Sequence, residues 1–145
     1  MDYSAAFQIS ASGMALEKLR LDVSAANIAN MNVAAASPAQ AYQPLRVLAR
    51  STGLSFTTQF GQWQQTMAGG VQGEVVPQAL APRMVQDLGH PYADSKGMVA
   101  YPAVDHTAEM VNLTTALRAY EANVAAMTAA RTMAARSLDI GGRNE

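Results

Sequence analysis

The sequence predicts a mainly α-helical protein with a small β-rich insert, its long N- and C-terminal helices paired as a coiled coil. Three observations predict it. Apolar residues recur every seven positions near both chain ends. All six prolines fall between positions 38 and 102, so neither end is interrupted by a residue that breaks helices. Only 14% of the residues are charged, against roughly 25% in an ordinary soluble domain. A surface so poor in charge is expected to lie partly against other molecules.

The N-terminal segment, 1–33, sets Ile9, Leu16, Val23 and Asn30 in one row and Ser12, Leu19 and Ala26 in the other. Ser12 and Asn30 interrupt the apolar seam, and Gly13 costs about 1 kcal/mol of helix propensity relative to Ala. Three asparagines, Asn27, Asn30 and Asn32, crowd the end of this segment, although asparagine is a weak helix former whose amide competes for backbone groups. Two readings stand side by side. Asn30 and Asn32 end the helix through the left-handed conformation that asparagine tolerates, or the amides fix register across packed helices at a cost in stability. Asn27, inside the helix, favours the second.

Residues 34–104 form the insert and an extended linker. "PLRVLAR" and "LSFTTQF" are short β-prone pieces, "AGGVQG" is a turn, and Pro77 to Pro102 is an extended stretch. Trp63 is expected in the core of the insert, with an exposed contact residue as the alternative.

The C-terminal segment, 105–145, repeats the heptad more strongly. Met110, Leu117, Val124, Arg131 and Leu138 form one row, and Leu113, Tyr120, Met127 and Ala134 the other. Asp105 or Thr107 can cap the start, Glu109 suits the first turn, and Gly141-Gly142 ends a helix roughly 50 Å long at about 1.5 Å per residue. Its outer side, "ANVAAMTAARTMAA", is rich in Ala, Thr and Met, which allow close and adaptable packing among copies or relatives. The expected subunit and helix-packing positions are therefore Ile9, Leu16, Leu19, Val23, Asn27, Asn30, Met110, Leu113, Leu117, Tyr120, Asn123, Val124, Met127 and Leu138. The three segments are expected to act as one structural unit.

Composition narrows the functional classes. The 10 basic and 11 acidic residues are spread along the chain, with no basic stripe to follow a nucleic acid backbone. There is no cysteine, hence no disulfide or thiolate metal site. "MDYSAAFQIS" lacks the basic and apolar regions of a cleaved secretory signal. No stretch reaches the roughly 20 apolar residues of a membrane span, so direct membrane insertion is not expected. Interfacial binding is disfavoured as well, since charges are mixed and aromatics scattered. These features alone point to the cytoplasm, unless a dedicated export route reads another signal.

"SASGMALEKLRLDVSAANIAN" (Ser10–Asn30) resembles the N-terminal signature of the bacterial flagellar axial proteins, which comprise rod, hook and hook-associated proteins. That signature runs approximately S-x-S-G-M and then N-I-A-N. "EMVNLTTALRAYEANVAAMTAARTMAARSLDIG" (Glu109–Gly141) resembles their C-terminal helix, with an R-x-Y-x-A-N core at Arg118, Tyr120, Ala122 and Asn123. "HPYADSKGMVAYPAVD" (His90–Asp105) resembles a segment typical of one proximal-rod member. Val33 stands where the family usually has Thr, and Asp105 where many relatives have Asn. The resemblance implies flagellar axial-protein architecture and a structural subunit of the proximal rod of the basal body. Such a subunit polymerises through its terminal helices and carries torque from motor to hook. Implied partners are other rod proteins, adjoining basal-body components, copies of itself and the flagellar type III export apparatus. The resemblance further implies export without a cleaved signal into a periplasm-spanning rod, with termini expected to stay largely unfolded until assembly. Another rod or hook-family axial protein is the near alternative.

The distant alternative is a small metal-dependent enzyme using His90 and His106. Asp105 and Glu109 lie i,i+4 on a helix beside His106, and Asp94 lies near His90. The same groups equally serve a helix start and a solvated turn. No G-x-S-x-G motif is present, and "GGVQGE" lacks both phosphate-loop spacing and a following Lys, which reads as a turn. No catalytic residue, metal or cofactor is expected.

Overall fold

The computed structural model describes residues 3–52 and 69–141. Trp63 and the "LSFTTQF" piece lie outside the described residues. Two long helices, α1 (Tyr3–Asn30, 28 residues) and α2 (His106–Gly141, 36 residues), flank four strands. The strands are β1 (Leu45–Ser51), β2 (Val71–Pro77), β3 (Arg83–Gln86) and β4 (Met98–Tyr101). They form two separate two-stranded sheets, β1-β2 and β3-β4.

This corrects the predicted fold class. Among the described residues the protein is not mainly helical with its terminal helices paired as a coiled coil; it is two long helices with two small antiparallel sheets. A coiled coil would bury its large apolar row. On α2, however, Met110, Leu117, Val124 and Leu138 are 44%, 44%, 41% and 76% exposed, and Ile9 on α1 is 50% exposed. The periodicity was real, but the covered row on α2 lies one residue earlier. Glu109, Ala116, Asn123 and Ala130 are buried or half-buried, as are Leu113, Tyr120, Met127 and Ala134. Small and polar residues occupy the close-approach positions, where size and hydrogen bonding decide the fit rather than hydrophobicity.

Contacts divide the chain into two compact units. One comprises Met1–Lys18, Ala49–Glu74 and Ala116–Glu145, the other Leu19–Leu48 and Val75–Thr115. In the first, Leu16, Ala116 and Ala130 are buried. In the second, Val99, Ala100, Pro102, Val23 and Ala41 are buried.

The first sheet is antiparallel: Thr52 N–H donates to the Gly70 carbonyl at one end (2.9 Å), and Gln78 N–H to the Pro44 carbonyl at the other (2.7 Å). "GGVQGE", expected as a turn, contributes from Val71 onward to β2. The stretch from Pro77 to Pro102 is likewise more ordered than an extended linker. Within it β3 and β4 pair antiparallel in the register Arg83–Tyr101 through Gln86–Met98. Arg83 lies 5.7 Å over the Tyr101 ring, its directly opposite partner.

The turn joining β3 and β4 explains why this piece escaped a strand reading. Its polar residues organise it. Asp94 Oδ1 accepts from Lys96 N–H (2.8 Å) and Met98 N–H (2.9 Å). Gly97 takes the left-handed φ of 74°, and a Cβ there would also run into the Leu88 side chain.

Candidate assembly site

Asn27 is wholly buried, and its amide makes four hydrogen bonds. Nδ2 donates to the Leu45 carbonyl (2.9 Å) and to Glu109 Oε1 (2.9 Å). Oδ1 accepts from Leu45 N–H (2.9 Å) and from the Tyr42 hydroxyl (2.9 Å). The side chain therefore meets both main-chain groups of Leu45, as a neighbouring strand would, at the residue where β1 begins. Its remaining two bonds fasten the 42–45 segment and the first turn of α2 to α1. Such an amide has two donors and one acceptor oxygen with two lone pairs, so nothing in it is left unpaired. Burial raises the Tyr42 pKa above the ordinary 10.0, and the Glu109 charge adds to the rise. The phenol thus stays a donor.

Two other asparagines bond to their own helices. Asn30 Nδ2 donates to the Ala26 carbonyl (2.8 Å) and Asn123 Nδ2 to the Ala119 carbonyl (2.9 Å). Asn30 is the last residue of α1, but the helix does not end through a left-handed asparagine: no described residue other than glycine has positive φ. The exit is a turn in which Val33 N–H donates to the Asn30 carbonyl (3.1 Å).

Two residues of the S-x-S-G-M signature act in the first unit. Ser12 Oγ donates to the Ile9 carbonyl (2.9 Å) and accepts from Val71 N–H (3.2 Å), tying the start of β2 to α1. Gly13 faces Asn123: a Cβ at Gly13 would sit 2.7 Å from Asn123 Oδ1 and 3.0 Å from its Cγ. The glycine that weakens the helix in isolation is what lets Asn123 fit.

Of the positions singled out from the sequence, Leu16, Val23 and Asn27 are buried, and Leu19, Asn30, Leu113, Tyr120, Asn123 and Met127 half-buried. Ile9, Met110, Leu117, Val124 and Leu138 are exposed. In the 116–141 part of α2, Leu117, Val124 and Leu138 keep heptad spacing on the outside, with Met133 also exposed. Thr128 and Thr132 direct their hydroxyls to the carbonyls of Val124 and Thr128 (2.9 Å each). Their hydroxyls are thus consumed within the helix, which leaves their methyl groups to shape the exposed face.

Sequence reasoning missed Tyr42 and Glu109 as partners of Asn27. They stand 15 and 82 positions away, too far for any local periodicity to connect them. Three of the groups considered for a metal are engaged otherwise. Asp105 Oδ1 caps α2, accepting from Thr107 N–H (2.9 Å) and Ala108 N–H (3.2 Å), and Glu109 holds Asn27. His90 Nδ1 accepts from Tyr92 N–H (3.1 Å) within its turn. Among the described residues no three His, Asp or Glu side chains gather as a metal site, and no described helix is long and apolar enough to cross a membrane.

Comparison with known proteins finds family matches at the two chain ends. Residues 7–36 match the model for flagella basal body rod proteins, and residues 95–140 the C-terminal model of flagellar basal body rod FlgEFG proteins. The chain is 33% identical over 136 residues to the flagellar basal-body rod protein FlgC of Yersinia enterocolitica, covering 93% of this chain and 95% of that one. Identity to FlgC of Salmonella typhimurium is also 33% over 136 residues, with the same coverage. To FlgC of Bacillus subtilis it is 32% over 141 residues, covering 92% and 94%. With two rod-protein models on the segments that form α1 and α2, and full-length similarity to relatives this diverse, the chain belongs to the FlgC family of flagellar basal-body rod proteins, the structural subunits of the rod.

Proposed function

We propose that this chain is a proximal-rod subunit that packs among copies of itself, other rod proteins and adjoining basal-body components, and that its terminal helices pass torque from motor to hook. The observation that supports this best is the uncovered row Leu117, Val124 and Leu138 on α2. A rod subunit needs an apolar face left free by its own fold, and covering the exposed remainder of three such side chains in a neighbour contributes up to roughly 1.5–3 kcal/mol each, less for the half-covered Leu117 and Val124. The subunit performs no catalysis and holds no cofactor. It leaves the cytoplasm through the flagellar type III apparatus without a cleaved signal.

The test is complementation of a strain lacking the gene. Wild-type chain should restore rods in imaged basal bodies, and Leu117→Asp combined with Val124→Asp should not, although the variant is made and exported. Intact rods in the deletion strain would dismiss the rod assignment. Intact rods with the double variant would dismiss this face as the contact.

A further inference from the structure

The Asn27 cluster joins three pieces of chain that lie far apart in sequence, and its bonding is complete only when all three are present. We infer that Asn27 and Glu109 form a latch through which the last turns of α1 and the first turn of α2 become ordered together, after the 42–45 segment has closed on α1. The argument is one of satisfaction. Asn27 is wholly buried, and a buried amide deprived of partners is strongly unfavourable. With only Leu45 and Tyr42 in place, one N–H of Nδ2 has no acceptor, so α1 in its folded position calls for Glu109. Conversely, Glu109 Oε1 finds its donor only once α1 is formed as far as Asn27.

Glu109 is fixed on α2 independently of this bond. Its own N–H donates to the Asp105 carbonyl (3.0 Å), and Asp105 caps the turn through Thr107 and Ala108. The carboxylate is thus presented at one place, and the latch reports whether the start of α2 is helical. The consequence is all-or-none ordering of the two ends. A chain with one terminal segment helical and the other loose would carry an unpaired buried amide or an unanswered carboxylate.

The bond has a polarity that substitution can reverse. Asn27→Asp keeps an oxygen for Leu45 N–H and Tyr42, but sets a second oxygen against the Glu109 carboxylate and the Leu45 carbonyl. Glu109→Gln keeps an oxygen to accept from Asn27 and removes the charge. Together, Asn27→Asp and Glu109→Gln let the glutamine amide donate to the aspartate. Full-length variants are introduced into the deletion strain, and basal bodies bearing rods are counted. Asn27→Asp should yield about tenfold fewer or none, because it leaves a buried charge uncompensated. Glu109→Gln should be close to wild type, and the double variant should recover a clear part of the loss. Normal rod numbers with Asn27→Asp, or a double variant no better than Asn27→Asp, would overturn the latch. Hydrogen exchange on the purified chains gives a second measure: Glu109→Ala should raise exchange in residues 21–30 as much as in 106–115. Exchange confined to 106–115 counts against coupling. Either failure leaves the rod assignment standing, since that rests on the deletion strain itself.

Discussion

At the scale of single residues, the polar positions of the terminal segments serve the chain's own fold. Tyr42→Phe removes one donor from Asn27 Oδ1 but leaves Leu45 N–H in place, so thermal unfolding should show a loss of about 1 kcal/mol. The pH dependence has a definite sign. The folded Tyr42 pKa lies above its ordinary 10.0. Its contribution is therefore full below about pH 10 and declines as pH rises through the folded value, because the unfolded phenol ionises first. Tyr42→Phe should flatten that alkaline decline. Gly13→Ala gains about 1 kcal/mol of helix propensity but forces a methyl to 2.7 Å from Asn123 Oδ1, and overpacking typically costs roughly 1–3 kcal/mol. The net effect should be a lower melting temperature, reversed when Asn123→Ala is added. Gly13→Ala alone raising stability would show that the two helices yield there. Of these roles the sequence disclosed only a part. Asn27 stood out as an amide inside a helix, but its partners are a backbone segment and a carboxylate that no spacing rule links to it.

At the scale of elements, helices were legible and their faces only half so. Long proline-free heptad rows located α1 and α2, with Asp105 capping the second as its spacing suggested. The inward face was misplaced because large apolar residues were taken as the covered ones. Close approach selects small residues and hydrogen-bonding ones instead, so Ala116 and Ala130 went inside while Leu117 and Val124 stayed out. The strands were harder still. β3 and β4 are only four residues each, and what joins them is the Asp94 turn rather than a long apolar pattern. That turn should be acid-sensitive. The N–H groups of Met98 and Lys96 hold the Asp94 carboxyl below its ordinary 3.8 against the opposing effect of burial, with the Lys96 charge a smaller contribution. Its stabilisation is present above about pH 4 and is lost as pH falls through the lower folded value. Amide exchange at Lys96 and Met98 should therefore accelerate in acid, relative to the remaining amides. Asp94→Asn, which keeps the oxygen but not the charge, should abolish that dependence. Equal acid dependence in both chains would place its origin elsewhere.

At the scale of the whole molecule, the net charge of −1 and the low charge content decide what kind of force can gather copies. Long-range repulsion is weak in a chain so nearly neutral, and the exposed row on α2 is apolar, with Arg131 as its one charged heptad position. Association should then depend on buried apolar area, which is insensitive to screening, rather than on ion pairs, which salt weakens within a Debye length of about 8 Å at physiological strength. Sedimentation velocity on the purified full-length chain should show self-association that grows with concentration. Raising the salt severalfold should leave it unchanged or slightly stronger, whereas cooling should weaken it, as expected for apolar burial. The Leu117→Asp and Val124→Asp double variant should remain monomeric across the same range. Because both side chains are exposed in the folded chain, its circular dichroism should match wild type. Ala116→Leu provides the contrast: that residue is buried, so enlarging it should disturb the fold itself and lower the melting temperature before any question of association arises. Association that vanishes in salt, or that persists in the double variant, would mean that copies meet through charge or through another face.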